Sequence, residues 1–228
     1  MAPHEDDSSP RAALTIQPRH GRGRTPFVML AGIGALQALT LLALLARGKL
    51  GAVTLGPDGV GILGVLEPLV QTVAHVFSFG LPIAAVKFLS QAHGDGRAAF
   101  AAAYSRFLRR VVAGGVAGMV MSVLFVWLGP NVLGPALRPY RGLLVLSLLG
   151  TPLLPLRDLL TNALASARTT STSAALGLWV AAGSTMGAFA GVVAEGGVRG
   201  FLAGTLAGSA AVLLTTAVRL PAMLGLSR

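Results

Sequence analysis

Apolar and polar residues come in blocks along this chain rather than in alternation. A polar stretch over 1–26 gives way to a mainly apolar run over 27–46. Five further apolar runs follow, at about 60–89, 111–128, 142–167, 174–194 and 198–220. At 1.5 Å per residue, a helix of about twenty residues reaches roughly 30 Å, the thickness of a bilayer's hydrocarbon core. The pattern predicts an all-α, polytopic membrane protein with six transmembrane helices. The first run is longer than a signal-peptide core, and no clear small-residue cleavage site follows it, so it reads as a membrane helix. The segment before it carries Glu5, Asp6 and Asp7, four arginines and four prolines, and reads as a disordered cytosolic tail. A short second tail is expected over 221–228.

Composition narrows the class further. Hydrophobic residues make up 54% before 30 glycines are counted, and charged residues only 11%. A soluble domain carries about 25% charged residues. A soluble enzyme, a disordered chain and, with no cysteine, a disulfide scaffold are therefore excluded.

The net charge of +10 sits between apolar runs rather than on one patch, which argues against nucleic acid as a partner. It reads instead as topology. With the N-terminus inside, inner segments hold 13 of the 18 Lys and Arg residues, and the outer ones hold Arg47, Lys49, Arg138, Arg141 and Arg199. Both ends are then cytosolic, in the cell's inner membrane. Between the second and third spans, Phe100, Tyr104 and Phe107 share one helical face while Arg106, Arg109 and Arg110 share another. Two readings stay open for this segment: an amphipathic helix on the inner membrane surface, or a cytosolic extension of the third span.

Glycines recur at four-residue spacing as Gly114 and Gly118, then Gly183, Gly187 and Gly191, then Gly200, Gly204 and Gly208. Each set lies on one helix face and predicts close helix packing. Ionisable groups inside the spans cost about 2.5–3.5 kcal/mol each at mid-membrane, so they mark cavities or partners. Glu67, Gln71 and His75 form one polar stripe on the second span, which Pro68 and Gly80-Leu81-Pro82 interrupt. On the fourth, Arg157 and Asp158 follow Pro152 and Pro155; Asp158 has Asn162 one turn on as a potential partner. Arginine's planar fork suits phosphate oxygens, and Arg157 beside a helix break reads either as an anion site or as a side chain snorkelling to headgroups. No metal-ligand cluster, Walker loop, zinc-protease helix or nucleophile signature is present, and neither an enzyme nor a cofactor is expected.

Two segments carry a family resemblance. Leu55-Gly-Pro-Asp-Gly-Val-Gly61 and Phe79-Gly-Leu-Pro-Ile-Ala-Ala-Val-Lys-Phe-Leu89, followed by Gly94-Asp95, resemble the second-helix signature of polysaccharide and lipid-linked oligosaccharide flippases of the multidrug/oligosaccharidyl-lipid/polysaccharide exporter superfamily. The stretch from Arg157 to Arg168 is more loosely similar. The resemblance implies one six-helix lobe of a two-lobe, flippase-like bundle around a central cavity, moving a lipid-linked glycan by alternating access, with membrane lipid around it. It further implies that Lys87 and Arg157 hold the pyrophosphate, with His75 beside them. Lys87 stands where arginine is usual, and Val60 where an aromatic is. Since the family supplies two lobes, the resemblance implies a fragment or a half-transporter completed by a second lobe or a second copy. The alternatives are a cation-coupled small-molecule antiporter centred on Glu67 and a non-transporting scaffold for glycan assembly.

Overall fold

The computed structural model describes residues 26–129, 138–167 and 169–224. Among the described residues there are seven α-helices: α1 (Pro26–Ser78), α2 (Leu81–Gly94), α3 (Arg97–Leu128), α4 (Arg141–Leu148), α5 (Leu153–Ser166), α6 (Thr170–Glu195) and α7 (Gly197–Met223). Of the expected tails over 1–26 and 221–228, residues 1–25 and 225–228 lie outside the described residues, as does Arg168; Pro26 opens α1 and 221–223 belong to α7. A single 3-10 turn, Arg138–Tyr140, precedes α4. There is no strand among the described residues. Five helical stretches among the described residues are long and apolar enough to cross a membrane.

The longest of them, α1, is not one rod. Gly56 has φ 69 and ψ −177, a conformation closed to side-chain-bearing residues, and Pro57 follows. Arg47 and Glu67 nevertheless form an ion pair. In a straight helix twenty residues apart they would be separated by about 30 Å. The chain therefore doubles back at Gly56, and α1 is a hairpin of two arms, 26–55 and 57–78. The helix through the expected first span, 27–46, thus runs on to residue 55. This places Arg47 in a helix rather than a loop.

The expected second span, 60–89, breaks at Phe79 (φ 48) and Gly80 (φ 68), where α2 begins with Pro82 in its first turn. The expected fourth span, 142–167, breaks likewise: Pro152 and Pro155 lack the N–H groups that would continue α4 into α5. The arginine-rich segment before the third span is the first part of α3, a continuous 32-residue helix. It is one helix with the expected third span, with Phe100 and Tyr104 buried and Phe107 packed on Phe88 of α2 with ring centroids 5.9 Å apart.

Glycines set the closest approach in the bundle. Gly191 faces Gly200, Gly187 faces Gly204 and Gly183 faces Gly208, so α6 and α7 run antiparallel with backbone against backbone. A Cβ on Gly187, Gly191, Gly200, Gly204 or Gly208 would fall on the facing carbonyl oxygen. In α3, Gly114 and Gly118 accommodate Phe77, whose carbonyl oxygen and Cβ would lie 2.9 and 2.7 Å from an added Cβ. In lipid such van der Waals fit, rather than escape from water, holds helices together.

Two apolar clusters fill the interior. One gathers Leu89, Phe100, Val111, Leu159 and Leu160; the other gathers Leu63, Leu66, Val126, Leu148 and Phe201. Arg141 ties the start of α4 to the end of α3: its Nη2 donates to the Trp127 carbonyl at 2.6 Å and its guanidinium lies 4.6 Å from the Trp127 ring centre.

Candidate functional site: a polar hollow between the helices

Four-residue spacing places Glu67, Gln71 and His75 on one face of the second arm of α1. Glu67 and Gln71 open onto a cavity of about 710 Å³, and His75 onto a smaller one of about 330 Å³. Asp158 and Thr161 of α5 line both. One polar track thus runs past two adjoining hollows. The larger is walled by α1, α4, α5, α6 and α7, with Leu66 of one apolar cluster and Leu213 of the other on its surface.

Arg157 also lines the larger cavity. Its Nε and Nη2 donate to Asp158 Oδ1 at 3.4 and 3.3 Å, long contacts that leave much of its donor capacity free. Adjacent helical residues diverge, which explains the length of these contacts. The expected pairing of Asp158 with Asn162 is not made. Asn162 Nδ2 instead donates to the Pro82 carbonyl at 2.8 Å, and Ser166, one turn on, donates to the Val86 carbonyl at 3.5 Å. Asn162 borders the smaller hollow, but its amide fastens α5 to α2.

Lys87 lies on neither hollow. The buried side of α2 is Pro82, Ala85, Leu89 and Ala92. Lys87, two residues from both Ala85 and Leu89, falls on the opposite, exposed side. Lys87 thus lines neither of these hollows, whereas Arg157 lines the larger.

Arg47 is the member that the sequence reading missed. It pairs with Glu67 across the hairpin, and its guanidinium sits 5.6 Å from the Phe201 ring centre. The signal was present: Ile33, Gln37, Thr40, Leu44 and Arg47 recur at helical spacing, and all five line the cavity. Cutting the first span at 46 hid it.

Hydroxyl groups fill much of the remaining wall. Thr40 donates to the Leu36 carbonyl, Thr161 to that of Arg157, Ser173 to that of Thr161 and Ser184 to that of Ala181. Each hydroxyl oxygen keeps acceptor capacity beyond the bond it donates. Ser147, which is buried, and Thr205 have hydroxyls with no partner among the described residues. The charged groups lining the cavity are Arg47 and Arg157 against Glu67 and Asp158, so their formal charges cancel. The hollow is polar and its formal charges are balanced.

Comparisons of this chain with protein-family models, with curated proteins and with solved structures return no match.

Proposed function

We propose that this chain is a transport protein of the cell's inner membrane, crossing it six times with both ends cytosolic. Its cavity would carry the head group of a lipid-linked oligosaccharide between leaflets. Two arms of α1, then α3, the α4–α5 pair, α6 and α7, supply the six crossings. The observation that carries the reading is the convergence of Glu67, Gln71, Arg157 and Asp158, with Arg47, on one hollow of about 710 Å³ inside an otherwise apolar bundle. Charges at such depth are costly unless something polar shares the space.

In this reading Arg157 contacts the phosphate, since its guanidinium is half-exposed and only loosely held by Asp158. The hydroxyl-rich wall suits sugar groups. A second lobe or second copy closes the hollow, and alternating access follows from rocking of the two. Arg157→Ala is expected to abolish export of lipid-linked glycan while the protein still inserts. Unimpaired export by that variant removes Arg157 from the mechanism.

The one-for-one match of carboxylates and guanidiniums favours a second reading, cation-coupled antiport of a small organic molecule. A drug-accumulation assay on Glu67→Gln separates the two, because antiport needs that carboxylate and glycan flipping does not.

A further inference from the structure

The outward face of α3 changes character at a single point. Arg106, Arg110, Ala113, Ala117, Val120 and Leu124 follow one another at three- and four-residue steps, and all are exposed. They form one stripe on the side of α3 opposite buried Phe100, Tyr104 and Val111. Arg109 lies beside the two arginines and is exposed too. The stripe is therefore cationic through residue 110 and wholly apolar from 113 onward.

Length fixes where this boundary lies. Residues 111–128 make 18 positions of helix, about 27 Å, which nearly fills a hydrocarbon core of about 30 Å. Arg106, Arg109 and Arg110 are then at headgroup level, with the apolar stripe running down among acyl chains. The side chains are turned to suit. Arg106 Nε donates to the Ala102 carbonyl at 3.2 Å and Arg109 Nε to the Ser105 carbonyl at 3.4 Å. Both guanidiniums thus fold back along the helix toward its N-terminus, away from the apolar stretch. None of the three arginines makes an ion pair among the described residues.

We infer that this face of α3 is a docking site for an anionic phospholipid of the adjoining leaflet, the arginines holding its phosphate and Ala113, Ala117, Val120 and Leu124 its chains. A soluble anion would use only the upper half of the stripe. A zwitterionic lipid also brings a phosphate, but its own cation offsets that charge, so it gains less from three clustered arginines. An anionic lipid matches both halves, and the site does not depend on what, if anything, the cavity transports.

The test uses the purified full-length chain in bilayers of phosphatidylcholine with and without phosphatidylglycerol, with bound lipid counted by native mass spectrometry. Wild-type protein should retain phosphatidylglycerol over phosphatidylcholine, and the preference should shrink as salt rises. R106Q/R109Q/R110Q should weaken that retention by about fivefold per arginine, roughly a hundredfold in all. R106K/R109K/R110K, which keeps the charge, should preserve most of it, as should Lys87→Gln on the neighbouring helix. If the glutamine variant does not fold, wild-type protein and its salt titration decide. No phosphatidylglycerol preference in the wild type overturns the proposal, and so does an equal loss in Lys87→Gln. Displacement of the lipid by inorganic phosphate at matching concentration overturns it as well, since the acyl stripe would then contribute nothing.

Discussion

Replacing Gly191 with alanine puts the α6–α7 packing to a direct test. The added Cβ would lie on the Gly200 carbonyl oxygen and 3.1 Å from the Gly204 Cα. Both obstacles are backbone atoms, so no rotamer change relieves them and the two helices must part. Overpacking of this kind costs about 1–3 kcal/mol. Alanine returns about 0.5–1 kcal/mol through its better helix propensity. The clash wins, leaving a net loss of about 1–2 kcal/mol. Gly64 supplies the control: it lies within an arm of α1, and nothing comes within 4 Å of a Cβ placed there. Gly64→Ala keeps the propensity gain without the clash and should be stabilised by up to about 1 kcal/mol. For a chain of this length each kcal/mol shifts the melting temperature by about 2–4 °C. Thermal unfolding of both variants in one detergent should separate them by several degrees, Gly191→Ala the lower. A Gly191→Ala protein as stable as Gly64→Ala would mean that the glycine edge is not a close contact.

Two further outcomes follow from side chains inside the bundle. Glu67→Gln strips Arg47, whose side chain is only 20% exposed, of its counter-charge and should destabilise the protein. Adding Arg47→Met should recover part of that loss, with a coupling of about 0.5–3 kcal/mol in a double-mutant cycle; strictly additive effects would show that the pair does not matter. Tyr104 is buried and its hydroxyl has no partner among the described residues. Tyr104→Phe should therefore leave stability unchanged or raise it by about 1 kcal/mol, and a loss of that size in chemical denaturation would reveal a partner.

Helix class and the general position of the apolar runs were legible in the chain because both depend on local properties, length and polarity. The stripe of Glu67, Gln71 and His75 was legible for the same reason, since four-residue spacing determines a shared face. What could not be read locally was contact. The reversal between the first two spans was expected, but not that the first helix runs on to Leu55 and turns at Gly56, nor that Arg47, expected in the outer segment, meets Glu67. The sideways reach of Asn162 to Pro82 links residues eighty positions apart, beyond any periodicity argument. Lys87 shows a different limit. Its matching position in a family motif suggested a cavity residue, whereas the apolar period of α2 puts it on that helix's exposed side, away from both hollows.

The fold-back at Gly56 also bears on how the protein is made. An arginine entering lipid alone costs about 2.5–3.5 kcal/mol at mid-membrane, and so does a carboxylate of its kind. Here the opposing charge arrives on the same hairpin, twenty residues behind, and meets its partner once the second arm has emerged. The two arms can enter the bilayer as one neutralised unit, before α3 or any later helix has been synthesised.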